Sequence, residues 1–364
     1  MSIQNQALFF ENSICDITDN MAEQAGLSGE MVKGMKAYTK LLRRIYKDYK
    51  VFEFSTAESV PTKIGILKDD LENYHHLTDT TLCLYGLACV GTVMSDGVES
   101  YLSVSKIALK QAFKKPAQKY FGLLEQFGLS FSFYKKEVAV KTYSSADTVR
   151  VSYPSCPEML LAIKYLSDRV PQTDVKKDYA DAINIYRLAD YESLVLQKST
   201  LRASFSPMHP SILNVLGEQK TMWGNLVHCL CDDVGLQTDV SLNNYVSPNW
   251  IVKFIYKKKT ICTVHIRCNQ SYIRLPLSYS TAKYAIDQRS DLPVTIQNAI
   301  EKFGCVGCGK CTNRCNLEDY KGIQLCRLSY KNFVTEDSRM IQFMLTQDDE
   351  LSAIVNMIKK ELGE

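Results

Sequence analysis

The stretch Asn249-Trp-Ile-Val-Lys-Phe-Ile-Tyr256, then Lys257-Lys-Lys259, Thr260-Ile-Cys-Thr-Val-His-Ile-Arg267 and Ser271-Tyr-Ile-Arg-Leu-Pro-Leu277 decides how the C-terminal half folds. Three short runs are enriched in β-branched and aromatic residues and separated by polar breaks, which predicts an antiparallel meander. Downstream, Pro293 opens a helix expected to run through Phe303. A cysteine-rich loop follows at once. Arg339 to Leu345 reads as one more strand. Thr346 with Asp349 predicts a capping box, and Leu351, Ile354, Val355 and Ile358 give the last helix an apolar face.

Upstream, Gln219 to Asp232 predicts a helix carrying Trp223, Leu226, Val227 and Leu230. Ser199 to Ser211, with Pro207 and Pro210, reads as a linker. Asp178 to Leu196 predicts a helix with an Ala182, Ile185, Tyr186, Ala189 and Ser193 stripe. The N-terminal half opens with a helix capped by Ser28 and running to about Tyr49, its apolar stripe Met31, Met35, Tyr38, Leu42, Ile45 and Tyr49. Asp79, Thr80 and Thr81 are candidate caps for an apolar helix expected through Val93. Helices over Ser105 to Phe113 and Ala117 to Phe127 are separated by Pro116 and closed by Gly128. Leu129 to Tyr134, a Lys135-Lys136 turn and Glu137 to Thr142 read as a hairpin, and Val149 to Tyr153 as a third strand. Pro157 opens a further helix through Leu166.

The expected fold is α+β. A mostly helical domain with a β hairpin occupies residues 1–200, and its helix, hairpin, helix order is compatible with a winged helix. Residues 201–364 form a smaller α/β domain with the meander and a metal knuckle at 305–326.

Across 364 residues, 46% are hydrophobic and 23% charged, with a net charge of +3, which is ordinary for a globular chain with a core. No strong field favours nucleic acid. The N-terminal residues lack a basic region followed by an apolar stretch, and no run reaches membrane-spanning length. A cytoplasmic protein without a membrane partner is expected. Thirteen cysteines, an odd number, argue against a disulfide framework. Eight are scattered along the chain, most of them among apolar residues.

The other five are packed together. Cys305-Val-Gly-Cys308-Gly-Lys-Cys311-Thr-Asn-Arg-Cys315 has two, two and three residues between cysteines, and Cys326 follows after Tyr320-Lys321-Gly322. Two intervening residues let a tight turn aim two sulfurs at one ion. Gly304, Gly307 and Gly309 free the backbone. Lys302, Lys310, Arg314, Lys321 and Arg327 are placed to favour the thiolate form that metals require. All five cysteines are candidate ligands, of which four make one site.

The first four resemble the run in bacterial ferredoxins that bind a 4Fe-4S cluster, although Asn316 stands where proline usually follows and no second run is present. From Cys308 onward the pattern also resembles the C-terminal knuckle of uncharacterised bacterial small α/β proteins, which place it after a Trp-bearing helix and a three-stranded meander. That resemblance covers the last two-fifths of the chain and implies no particular activity. A closed structural Zn2+ site with Cys326 as distal ligand is the leading expectation, a 4Fe-4S cluster the alternative.

Other chemistry is sparser. His75 and His76 read as a surface pair, and His228 beside Cys229 and Cys231 as packing. His209 reads as a linker residue, and His265 falls on a strand near Cys262 and Cys268. No phosphate loop, dinucleotide fingerprint, nucleophile elbow or HExxH is present, so no catalytic residues are assigned. The leading function is a non-enzymatic ligand-binding or regulatory module with a small molecule or protein as partner. An iron–sulfur electron-transfer protein is second. A DNA-binding regulator using Ala117 to Tyr153 is third.

Overall fold

Why the helix Gly29–Lys47 forms is legible residue by residue. In the computed structural model, Ser28 Oγ accepts from the Met31 N–H (3.2 Å) and starts the helix. Glu30 stands in its first turn and Arg44 and Lys47 in its last, matching the helix dipole. The structure describes residues 3–53, 68–97, 99–170, 183–196, 205–243, 248–302, 317–326 and 340–363. The fold is mixed α and β, and the chain divides into two compact units, Met1–Ser204 with Asn244–Pro248, and Phe205–Asn243 with Asn249–Glu364.

The first unit contains α1 (Ile3–Ser13), α2 (Asp19–Gln24), α3 (Gly29–Lys47), α4 (Lys68–Val90), β1 (Thr92–Ser95), β2 (Ser100–Ser105), α5 (Lys106–Ala112), α6 (Ala117–Gln126), β3 (Ser130–Lys135), β4 (Val138–Val140), β5 (Thr148–Ser152), α7 (Glu158–Ser167), a helical stretch over 183–187, and α8 (Tyr191–Val195). The strands form one antiparallel sheet in the order β1-β2-β5-β3-β4. β5 thus pairs with both β2 and β3, joining the expected hairpin to strands that precede α5. Leu102, Val104, Val149 and Val151 are at most 1% exposed and form the sheet's buried face. α3 crosses α7 closely at Gly34, where a Cβ would stand 2.3 Å from the Glu158 carbonyl oxygen. Only glycine permits that approach.

Several expectations are corrected here. Asp79, Thr80 and Thr81 are not caps: they lie inside α4, where the hydroxyls of Thr80 and Thr81 donate to the His76 and Thr78 carbonyls. That helix stops at Val90, and Val93 belongs to β1. Tyr46 rather than Tyr49 completes the α3 stripe, because the helix ends at Lys47. The helix expected over Asp178 to Leu196 is broken after residue 187, with Ala189 at φ 49°, and residues 178–182 lie outside the described residues.

The second unit contains α9 (Pro210–Leu216), α10 (Lys220–His228) running into a π-turn over Cys229–Asp233, β6 (Gln237–Asn243), β7 (Asn249–Tyr256), β8 (Lys259–Arg267), β9 (Gln270–Pro276), α11 (Tyr279–Asp287), α12 (Val294–Glu301), β10 (Leu317–Tyr320), β11 (Ile323–Cys326), β12 (Met340–Met344) and α13 (Asp349–Leu362). The meander extends at both edges into a five-stranded antiparallel sheet, β12-β9-β8-β7-β6. Trp250, Val252 and Phe254 alternate into the core with Cys262, Val264, Ile266, Ile273 and Leu275, all 0% exposed. Trp223 of α10 is 1% exposed, and its indole N–H donates to the Pro207 carbonyl (2.8 Å).

The expected linker is partly structured: Pro210 opens α9, and His209 caps it, its Nδ1 accepting from the Ser211 N–H (3.2 Å). Residues 199–204 lie outside the described residues. The expected Thr346–Asp349 capping box does not form: Asp348 is the N-cap, without a side-chain cap hydrogen bond, and Glu350 reaches back to Thr346 instead. Its carboxylate, 1% exposed, accepts from the Thr346 N–H (2.9 Å), the Thr346 hydroxyl (2.9 Å) and the Thr295 hydroxyl (2.6 Å). Among the described residues no helix is long and apolar enough to cross a membrane.

Candidate metal centre

Cys305, Cys308, Cys311 and Cys315 lie within 303–316, outside the described residues, as does Arg327. Both flanks of that stretch are described. On the N-terminal side, α12 buries Ile296, Ala299 and Ile300, and Glu301 near its end pairs with Arg289. On the C-terminal side stands the two-stranded β10–β11 hairpin, which joins no other strand among the described residues. Its register sets Leu317 opposite Cys326 and Tyr320 opposite Ile323. Cys326 therefore occupies the open end of the hairpin, the end from which the cysteine-bearing stretch departs.

The opposite end is a tight turn with Lys321 at φ 51° and Gly322 at φ 84°, the twist that suits a two-residue hairpin loop. The turn docks on α11. Lys321 pairs with Asp287 (2.6 Å), and the Tyr320 hydroxyl donates to both oxygens of the same carboxylate (2.9 and 3.0 Å). These contacts hold the Asp287 carboxyl below its usual range, Lys321 contributing most. Glu318 pairs with Lys283 (2.7 Å) and accepts from the Tyr279 hydroxyl. The Lys283 ammonium sits 4.5 Å from the Tyr320 ring centroid. Ile323 and Leu325 are buried at 7% and 0% exposure. Lys321 was expected among the cations around the thiolates; it stands instead at the hairpin's far end, engaged with Asp287.

Among the described residues, no group of three or more histidine, cysteine or acidic side chains is arranged to hold a metal. The eight scattered cysteines are free thiols, and burial raises those of Cys83 and Cys262 well above the usual range. His75 is exposed, while His76 is half-buried, with the Lys119 ammonium 3.3 Å from its Nε2. Burial and that cation lower the His76 pKa. His228 is not a packing residue: it is exposed and bonds Asp232 one turn on (2.6 Å). His265 Nδ1 receives the Asn249 amide (2.8 Å), and burial beside Arg274 and Arg267 pushes its imidazole down to about 4.

Two buried charges escaped sequence reasoning. Asp79 receives Lys115 (2.5 Å) and the Tyr120 hydroxyl (3.0 Å), so a side chain read as a cap is the centre of an α4–α6 tie. Arg187 is 2% exposed, donates to Thr81 (2.8 Å) and Asn184 (3.3 Å), and lies 5.1 Å from the Phe10 ring centroid. Its signal was a lone cation within the apolar run Ile185 to Leu188. The second unit also holds a cleft of about 530 Å3 between α11 and α13, lined in part by Tyr284, Gln288, Asp291, Asp349 and Asn356. No known protein family matches the chain, and no curated protein or solved structure is detectably similar to it.

Proposed function

We propose that the chain is a non-enzymatic regulatory or ligand-binding module whose second unit is closed by a structural zinc ion held by four of Cys305, Cys308, Cys311, Cys315 and Cys326. One observation carries this reading: the hairpin register returns Cys326 to a position opposite Leu317, two residues along the chain from Cys315. Covalent geometry alone then keeps the Cys315 Cα within about 7 Å of the Leu317 Cα. A hairpin of four-residue strands with no further sheet partner among the described residues gains little from its own ladder. A metal at its open end supplies the tie that α11 supplies at the turn. Four thiolates around zinc make a closed site with no open coordination position, which suits a structural role. The same ion joins the 305–326 loop to the strand and helix that follow. The α11–α13 cleft is the ligand site that this reading favours.

Zinc, iron and sulfide are measured in anaerobically purified protein, alongside unfolding of Cys308→Ser and Cys311→Ser. One zinc per colourless chain, lost in both variants together with the folding of the second unit, is the expected result. Brown protein containing iron and sulfide replaces zinc with a cluster and moves the reading to electron transfer. Neither metal in the protein, or variants that keep full metal content and stability, overturns it.

A further inference from the structure

The chain's charge is unevenly placed. Residues 106–150 hold nine lysines and arginines against three acids, a net of +6, although the whole chain carries only +3. Four of those cations are engaged: Lys115 with Asp79, Arg150 with Glu137, Lys106 with the carbonyls of Tyr143, Ser144 and Ala146, and Lys119 with His76 Nε2 at 3.3 Å. Lys110, Lys114, Lys119, Lys135, Lys136 and Lys141 are exposed, and none pairs with an acid among the described residues. Such a surplus of unpaired, solvated cations repels itself and attracts a polyanion.

The fold gives that charge a shape. α5 and α6 are two short helices joined by the turn at Phe113–Pro116, and they lie between β2 and β3 in the chain. β3 turns into β4 at Lys136 and Glu137, and β5 returns between β2 and β3. α6 buries Ala117, Tyr120, Phe121, Leu123 and Leu124 and leaves Gln118, Lys119, Gly122, Glu125 and Gln126 exposed. Nothing lies within 4 Å of where a Gly122 Cβ would be. The exposed face is therefore low, polar and unobstructed, with lysines at its N-terminal end and at the β3–β4 tip.

We propose that residues 106–150 bind double-stranded DNA as a winged helix, with α6 entering the major groove and the β3–β4 turn lying on the phosphate backbone. Gln118 and Lys119, at the N-terminal end of α6, face the base edges. Lys114, Lys135 and Lys136 contact phosphates. Duplex RNA fits less well, because its major groove is too deep and narrow to admit a helix. Glu125 is the one acid exposed on α6, near its C-terminal end and away from Gln118 and Lys119.

The test is fluorescence anisotropy of the full chain with a labelled random 25-base-pair DNA duplex and the matching RNA duplex, over a range of salt concentrations. The variants are Lys114→Glu/Lys119→Glu and Lys135→Glu/Lys136→Glu. Lys115 is left alone because it neutralises the buried Asp79. Lys40→Glu/Lys220→Glu reverses two exposed lysines elsewhere and is the control. Each test pair is expected to weaken DNA binding at least tenfold and to flatten the log–log salt slope by about 2, with unchanged circular dichroism. The control is expected to change binding less than threefold. No DNA binding at 50 mM salt, equal losses in control and test variants, or tighter binding to the RNA duplex overturns the proposal. Zinc content is unaffected by these surface changes, so failure here is distinguishable from failure of the metal reading.

Discussion

Two hairpins of this chain look alike locally and differ in what surrounds them. β3–β4 and β10–β11 both turn through two residues with positive φ, Lys136 and Glu137 in one, Lys321 and Gly322 in the other. The first is continuous with a five-stranded sheet through β5; among the described residues the second pairs only with itself. Cross-strand neighbours and a buried face stabilise the first. An isolated pair of strands is marginal in water, so the second depends on what grips its two ends. α11 grips the turn, and we propose that a metal grips the open end.

The largest expected effect breaks the second hairpin and spares the first. Cys308→Ser removes the proposed ion and with it binding free energy on the order of 10 kcal/mol. Calorimetry should show the transition of the second unit lost and that of the first retained. The converse perturbation is Gly34→Ala. Its methyl meets the Glu158 carbonyl at 2.3 Å, so α3 and α7 must separate, at a cost of about 2 kcal/mol. Urea unfolding should show the first unit weakened and metal content unchanged; an unshifted first transition would mean that the two helices part without cost.

Acid sharpens the contrast further. The folded His265 titrates near 4, below its ordinary 6.5, so the unfolded chain binds more protons in that window. Its contribution is complete above pH 6.5 and is lost as pH falls towards 4, at most about 2 kcal/mol for a partly buried group. His265→Gln should flatten the pH dependence of the second unit over that range. Glu158 is held down to about 2, chiefly by its hydrogen bond with Lys33. Its contribution is present above about pH 4.5 and disappears as pH falls towards 2. Glu158 and Lys33 are partly solvated, so Glu158→Gln should cost under about 1 kcal/mol near neutrality. The His265 effect should therefore appear at a higher pH than the Glu158 effect.

Local periodicity made some of this legible. Ser28 and the Met31 to Ile45 stripe specify α3, and the meander strands carry their own β pattern. Pairing partners at long range were not legible: β5 could as easily have extended the β3–β4 hairpin, and nothing local names β2 as its neighbour. Asp79 was misread for the same reason. An aspartate before an apolar run is a good cap, and its burial against Lys115 and Tyr120 depends on α6, forty residues away. His228 was misread because it was weighed against its neighbour Cys229 and not against Asp232, which the four-residue spacing sets on the same exposed face.

The sequence by itself determined where some elements begin, the helices after Ser28 and Pro157 among them, since caps and prolines act within a few residues. It also determined that five cysteines near the C-terminus share one short stretch. Only the tertiary structure decided that β5 lies between β2 and β3, that the unpaired lysines of 106–150 share one exposed module, and that Cys326 returns to the hairpin's open end. Such placements depend on contacts between residues far apart in the chain, whose free energy comes from burying surfaces together, and no local pattern encodes which surface meets which.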